Sequence, residues 1–577
     1  MYIDKVYIKN FRGFGHDADD KGFVIDLNDG ITSIIGKNGS GKTTILEAIH
    51  YVLGQEYLNN KISEKDFNPL ANNLDDEIEI IVKTKEPFFY TLEAKSNTRQ
   101  QETFLIPCQA VRLSIHRRKA SDTVNLKILD DPYIIDRTVI PLTGTINPDI
   151  YDTESSNRKP IKINRSGTSY KIEYLLGDGQ SRSASIFDYQ LNYIPSKSKN
   201  CPKAIYLSKS REQDTNGTYS FVSKIFTDLH WKFRKNNDSE REEITTLYNS
   251  LINKVREAVG DKGELFIGLN QTIKEITTEN IDASMDVLDI EQPYSTAYIS
   301  TKRESKSLEI ESRGAGYNII AAYALFKYIA DKEKTPIVLL IDEPELHLHT
   351  DWERNLYTSL GNQSVLQGIY STQSESFISL KKWEEIRLLS NFVLFPTAST
   401  LQNKIKIGEG EALVSEFLDD YAVKNLHISL ILRENLELFF TDKIIIVEGP
   451  GDKYALQKLL ELKGIALNDY SVAIIPSWGK TKIKVYQMIC KAFGKNYYTV
   501  FDKDKEESEN DTIEGNILYS QMTKFSTSLE KLLGITGDEK FQKLVEIVDS
   551  TEDLNTLDTE IQSAIGEIET FITTPLF

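Results

Sequence analysis

The hydrophobic pattern changes period several times along the chain. Near the start, Val6 and Ile8 alternate with polar residues up to Asn10-Phe11-Arg12, a two-residue period that predicts a strand. A second apolar strand, Ile31 to Ile35, runs into a glycine-rich turn and then a helix over Lys42 to Leu53. From Glu77 to about Asn200 the pattern predicts short strands and polar turns. It is punctuated by Pro87, Pro107, Pro132, Pro141, Pro148, Pro160 and Pro195 and has no long helical period. A helical period then appears at Ile244, Leu247, Tyr248, Leu251, Ile252, Val255 and Val259, with Ser239 to cap it and Gly260 to end it. That stripe is a packing face, within one chain or between two, and is too short for a long coiled-coil arm.

Further on, the pattern predicts a helix over Tyr317–Lys332, strands over Ile337–Ile341 and Gln367–Ser371, and a connecting helix over Leu413–Asn435. The last region alternates: strand Lys443–Val447, helix Asp452–Lys463, strand Val472–Ile475, helix Thr481–Phe493, strand Tyr497–Phe501. That order argues for a parallel sheet covered by helices. The charged run from Asp502 to Asp511 reads as a loop. The expected organisation is residues 1–205 for a first α/β part with its β-rich extension and 206–295 for a helical, dimerising insertion. Residues 296–400 form the second part of that α/β domain, 401–440 a helical connector and 441–577 a C-terminal α/β domain.

Composition narrows the classes. The chain has 577 residues, and Asp and Glu outnumber Lys and Arg by 86 to 68, a formal net charge of −18. An overall basic coat for nucleic acid is excluded, so contact with DNA must come from local patches. There is no apolar run approaching the roughly 18 residues of a membrane span, and the N-terminus lacks a signal-peptide layout. Cys108, Cys201 and Cys490 are too few and too scattered for a disulfide framework or a cysteine-rich zinc site. A cytoplasmic, multidomain enzyme without a membrane partner is expected.

The clearest chemistry is Gly36-Lys37-Asn38-Gly39-Ser40-Gly41-Lys42-Thr43, a full P-loop pattern between a strand and a helix. Gly36, Gly39 and Gly41 let backbone N–H groups wrap phosphates, and the helix N-terminus at Thr43 and Thr44 adds positive potential. Lys42 is placed for the β- and γ-phosphates and Thr43 for Mg²⁺, with Asn38 lining the loop. The strand Ile337–Ile341 ends in Asp342, a metal-side carboxylate, and Glu343, which would polarise the attacking water.

About three hundred residues separate Thr43 from Asp342. With Asn10-Phe11-Arg12 after the first strand, this spacing resembles the ATP-binding-cassette ATPases of the RecF and SMC group. The resemblance implies two heads that sandwich the nucleotide, hence a homo-oligomer, dimer or tetramer. Ser312-Arg313-Gly314-Ala315-Gly316 stands where that group carries its signature, with Ser312 and Gly314 facing the nucleotide of the other head. Pro344-Glu345-Leu346-His347-Leu348-His349 resembles the dimer-contact loop, and a metal role for its two histidines lacks a third ligand. In Ser371-Thr372-Gln373-Ser374, Gln373 replaces the group's usual histidine. Glutamine can hydrogen-bond phosphate or water but cannot carry a proton, which puts fast turnover in doubt and leaves ATP binding intact.

Near the C-terminus, Glu448 ends one apolar strand before Gly449, Asp452 lies one turn further, and Asp502 and Asp504 end another strand. Strand ends in a parallel sheet share one edge, so four carboxylates can converge there and call for divalent cations, Mg²⁺ or Mn²⁺. This resembles the Toprim domain of topoisomerases, primases and some nucleases. An ATPase followed by a Toprim domain resembles the OLD (overcoming lysogenization defect) nucleases, to which the nuclease subunit of the Gabija anti-phage system belongs. The implied fold is an α/β, SMC/RecF-like P-loop ATPase with a β-rich extension and helical insertion, followed by a Toprim domain. The implied activity is a nucleotide-gated, metal-dependent DNA endonuclease in anti-phage defence, beside an accessory protein such as a helicase-like subunit. The family's further acid and lysine fall at Glu530, to complete a metal shell, and Lys540, to neutralise transition-state charge. Lys480, Lys482, Lys484, Lys491 and Lys495 offer a DNA landing patch, and His116-Arg117-Arg118-Lys119 a second. The competing expectation is a RecF/SMC-like DNA-binding ATPase whose Toprim domain docks without cutting.

Overall fold

The computed structural model describes the chain apart from residues 1, 16–21, 55–57, 59–60, 72, 96–100, 120–131, 148–149, 152–157, 176–179, 209–249, 251–263, 278–281, 287–297, 304–305, 310–314, 334–335, 362–365, 391, 408, 421–434, 504–506, 517–520, 537–539 and 576–577. It divides into two compact units. The first holds Met1–Ser33 and Gly41–Phe377, the second Ile34–Ser40 and Ile378–Phe577. Among the described residues no helix is long and apolar enough to cross a membrane.

An antiparallel sheet in the first unit runs in the order Phe23–Asp26, Ile3–Lys9, Glu77–Lys95, Gln101–Arg117, Tyr133–Pro141. The expected short strands are here two long ones of 19 and 17 residues. The prolines did not break them. Pro87 falls at a register shift between Lys83 and Phe88, where no ladder N–H is required, and Pro107 is carried opposite Phe89. Buried cross-strand pairs Ile78–Ile115, Ile80–Leu113 and Val82–Val111 hold the ribbon on its inner face. A second antiparallel sheet holds Gly144–Thr145, Pro160–Ser166, Ser169–Leu175 and Ser181–Phe187. A third, Asp282–Asp286, Tyr298–Arg303 and Lys306–Glu309, was not anticipated. The helix expected over Ser239–Gly260 falls almost wholly outside the described residues.

Lys203–Leu207, Ile337–Asp342 and Leu366–Thr372 pair in parallel, with the strand Ile31–Gly36 next in order. Strands Ile337–Asp342 and Leu366–Thr372 are buried along their whole length. Continuous burial explains why they read as apolar runs rather than alternations. Helices Glu264–Thr277, Ala315–Glu333 and Thr350–Gly361 pack against this sheet through Leu269, Ile273, Ile320, Tyr323, Leu356 and Leu360. The fully buried Gln367 joins the sheets: its amide accepts from Ile3 N–H at 2.8 Å and donates to the carbonyls of Ile3 at 2.9 Å and Asn28 at 2.6 Å.

In the second unit, four parallel strands are ordered Val472–Pro476, Lys443–Val447, Asn496–Asp502, Met522–Phe525. Successive side chains point to opposite faces. Ile444, Ile446, Ile475, Tyr497 and Phe501 join one core with helix Ile483–Ala492. Ile445, Val447, Ile474, Tyr498 and Val500 join another with helices Pro450–Leu462, Lys540–Ser550 and Thr559–Thr573. Lys443 is buried, and its ammonium donates to the carbonyls of Phe571 at 3.1 Å and Thr574 at 2.6 Å, and to that of Ile572. It thereby caps the carbonyl end of the last helix, and burial lowers its pKa. The run expected to be a loop after Asp502 contains a helix, Glu507–Gly515. Of the expected connecting helix, Val414–Asp420 is present and residues 421–434 lie outside the described residues.

Replacing Gln367 by Leu leaves three buried backbone groups without their side-chain partner. Gln367→Leu should lower unfolding free energy by about 3 kcal/mol, read as a lower urea midpoint. An unchanged midpoint would show that the sheets do not depend on this amide.

Candidate active sites at two sheet edges

The P-loop follows the strand Ile31–Gly36 and enters the helix Lys42–Leu53. Gly39 and Gly41 take φ of 77° and 97°, the left-handed region that side chains with a Cβ avoid. At Gly41 a Cβ would also lie 2.5 Å from the Phe14 ring. Gly36, Asn38, Thr43 and Thr44 are all described within this turn and first helical turn, and Lys42 is 5% exposed.

Asp342 ends the buried strand Ile337–Asp342 and is 1% exposed. Thr43 Oγ1 lies 3.0 Å from both of its carboxylate oxygens, so the hydroxyl and carboxylate expected to flank a nucleotide-bound cation are side by side. Ser371 Oγ–H donates to Asp342 Oδ1 and accepts the Glu343 N–H at 3.1 Å. Glu343 has φ of 46°, held by its N–H bond to Ser371 O at 3.0 Å. Gln373 Nε2 donates to Glu343 Oε1 at 3.3 Å, so the residue in the histidine's place faces the glutamate expected to polarise water.

Glu345, in the segment expected as the dimer-contact loop, also makes contacts within the chain. Its carboxylate accepts from Gln373 N–H at 2.6 Å and Thr372 Oγ1–H at 2.9 Å, fastening the loop after Asp342 to the switch strand. Burial raises its pKa against these bonds. The signal was present as a third acid just beyond Asp342-Glu343. Helix Ala315–Glu333 starts against the same loop: a Cβ on Gly316 would stand 2.3 Å from the His347 carbonyl oxygen. Ser312 and Gly314 lie outside the described residues. His347 and His349 are exposed, and among the described residues no three His, Cys, Asp or Glu side chains stand together as a ready-made metal cage.

At the second edge, Glu448 follows the strand Lys443–Val447 and Asp502 ends the strand Asn496–Asp502 beside it. Asp502 N–H donates to Glu448 Oε1 at 2.8 Å. Asp452 lies in the first turn of the helix that follows Gly449, and its Oδ2 accepts the Gly449 N–H at 2.9 Å. Burial pushes the Asp452 carboxyl up to about 7; the Gly449 bond opposes this, and Glu530 and Glu448 reinforce it. Three of the expected acids therefore feel one another, and the fourth is tied to them through its backbone. Asp504 lies outside the described residues. Lys540 is exposed at the start of helix Lys540–Ser550. The donors are all carboxylate oxygens, which suits hard divalent cations, and the charges of Glu530 and Glu448, which add to burial in raising Asp452, are what such cations relieve.

Most cations of the two basic patches are engaged within the protein, and in the first Lys484 pairs with an acid. Lys480 is buried, donates to the Asp502 carbonyl and lies over the Phe501 ring. Lys484 pairs with Glu509, Lys491 contacts Asn516, and Lys495 is buried against the carbonyls of Phe439 and Thr441. Burial pushes Lys495 down to about 8. Lys482 contacts the Trp478 carbonyl. Arg117 pairs with Glu64 and lies over Phe67, and Lys119 pairs with Asp75.

Between about pH 4 and 7 the folded chain keeps a proton on Asp452 that the unfolded chain has lost. Stability should fall as pH rises through that window and level off above it. In metal-free buffer, Asp452→Asn should flatten the fall in melting temperature between about pH 5 and 7. A slope equal to wild type would refute a protonated Asp452.

Residues 1–378 match the AAA ATPase domain family, and residues 439–504 match the overcoming lysogenization defect protein-like TOPRIM domain. The "OLD nuclease" of Thermus scotoductus is 22% identical over 519 residues, 87% of this chain and 82% of that protein. A "Chromosome partition protein Smc" of Fusobacterium nucleatum is 50% identical over 60 residues, 10% of this chain and 5% of that protein. A crystal structure of an Smc head bound to the C-winged helix domain of ScpA covers 68% of this chain and 96% of its own. Its TM-score is 0.33 and its identity 14%. An ATPase domain and a TOPRIM domain together imply nucleotide and divalent-metal use. The chain belongs to the AAA ATPase domain family, carries an OLD-like TOPRIM domain and is a homologue of the OLD nuclease.

Proposed function

We propose that the protein is an ATP-binding, divalent-metal-dependent DNA endonuclease that works as a homo-oligomer in anti-phage defence. The observation that carries this is the acid edge, where Glu448 and Glu530 act on the half-buried Asp452 beside Asp502. A docking module has no use for that repulsion. Glu448, Asp452, Asp502, Asp504 and Glu530 would hold the cations. Bound Mg²⁺ or Mn²⁺ supplies Lewis acidity at the scissile phosphate and lowers the pKa of bound water. Asp452 must release its proton before the cluster carries its full negative charge. Lys540 is assigned to charge that builds on the phosphate oxygens.

At the other site, Lys42 addresses the β- and γ-phosphates, with Gly36, Asn38, Gly39, Gly41 and Thr44 around them. Thr43 and Asp342 take the nucleotide's cation, Glu343 orients water, and Ser312 and Gly314 serve the partner head. The relative's name supports nuclease action. DNA as substrate, the choice of ion, the defence setting and a helicase-like accessory protein extend that reading.

Three measurements test it. Wild type should nick supercoiled plasmid with Mg²⁺ or Mn²⁺, and Asp502→Ala or Asp504→Ala should cut at least about a hundredfold more slowly. Lys42→Ala should remove any effect of ATP on the rate. No cutting of any DNA form would sink the nuclease assignment. ATP turnover should be slow, and Gln373→His should raise it at least about tenfold by restoring a group that moves a proton; no gain would mean that Gln373 does not limit the step. Sedimentation that shows only monomer, with and without ATP, would exclude the composite nucleotide site.

A further inference from the structure

We propose that Trp478 and Phe541 stack on unpaired nucleobases at the acid edge, so that the site takes single-stranded or locally opened DNA. This rests on the nuclease assignment above and adds the form of the substrate. Trp478 lies in the loop after strand Val472–Pro476, the neighbour of the Glu448 strand, and its side chain is 47% exposed. Its backbone has φ of 59°, uncommon for a residue with a bulky side chain. Both of its neighbours are fastened to the acid strand. Ser477 N–H donates to the Val447 carbonyl at 2.8 Å, and Gly479 N–H donates to the Glu448 carbonyl at 2.8 Å. Ser477 Oγ also lies 3.2 Å from the Glu448 carbonyl oxygen. The loop is therefore built onto the residue that carries the catalytic acid, and it presents an indole to solvent. A backbone held in a sparsely populated region beside a reactive group is where functional strain concentrates.

Phe541 is 55% exposed, in the first turn of helix Lys540–Ser550. Its ring lies 3.8 Å from where a Cβ on Gly451 would stand, next in sequence to Asp452. Its other aromatic neighbour is Tyr454, with centroids 6.5 Å apart. Two large aromatic side chains thus remain accessible beside residues adjoining Glu448 and Asp452. Lys480 and Lys484, expected in a landing patch here, are engaged with the Asp502 carbonyl and with Glu509. Rings that stack on any base, with exposed Lys540 beside Phe541 and exposed Lys503 beside Asp502 to meet phosphates, suit a strand whose bases are unpaired.

The test uses the full chain with Ca²⁺ and a fluorescent oligothymidylate of about 20 nucleotides, beside a duplex of equal length. Wild type should bind the single strand, and binding should quench tryptophan emission. Trp478→Ala should weaken single-strand binding about tenfold, the scale of one lost base stack. Phe541→Ala should weaken it several-fold, and duplex binding should change less than about threefold. Trp478→Phe should keep most of the affinity and lose the quench, which separates stacking from a folding defect.

Wild-type affinity in both alanine variants overturns the proposal. So does an equal loss on single strand and duplex, or a wild type that binds neither probe. Plasmid cutting is scored separately. Ring-dependent binding without cutting sinks the nuclease and keeps the stacking, and cutting without ring-dependent binding does the reverse.

Discussion

Parallel pairing forces every strand to deliver its last residue to the same edge, and both sites depend on that constraint. Ile337–Asp342 and Leu366–Thr372 run in parallel, so Asp342 meets Ser371 directly and Glu343 reaches Gln373. Lys443–Val447 and Asn496–Asp502 do the same for Glu448 and Asp502. The apolar bodies of these strands supply the stability, and their polar ends are left to do chemistry. A register change in either sheet would move an acid off its edge.

The two edges treat their carboxylates differently. Asp342 is buried and receives hydroxyl donors from Thr43 and Ser371. Asp452 has one backbone donor and two neighbouring acids, so burial dominates and the proton stays near neutral pH. The first edge surrounds its acid with hydroxyl donors. The second keeps mutual repulsion in store.

Much of this was legible because burial wrote it into the apolar pattern. The helix Lys42–Leu53 and the alternating elements from Lys443 to Phe501 stand where the periodicity placed them. Helix Glu507–Gly515 was missed because its buried side chains, Asn510, Thr512 and Ile513, are mostly polar and leave no apolar stripe. The strand Met522–Phe525 has only 4 residues, too few for a period to show. Spacing cannot reveal a carbonyl from another segment: Lys495, expected in the landing patch, finds Phe439 and Thr441, and Lys443 finds the end of the last helix. The tie between Glu345 and Gln373 was equally invisible, since it needs the fold to bring a loop against a strand.

The internal capture of Lys443, Lys480 and Lys495 has a consequence for ionic strength. Affinity for DNA normally falls with added salt in proportion to the phosphates that cations neutralise, because each contact releases condensed counterions. Ammonium groups fixed under backbone carbonyls displace none. Lys443, Lys480 and Lys495 therefore add nothing to the salt dependence of a DNA contact, which would rest on lysines that stay exposed, such as Lys503 and Lys540.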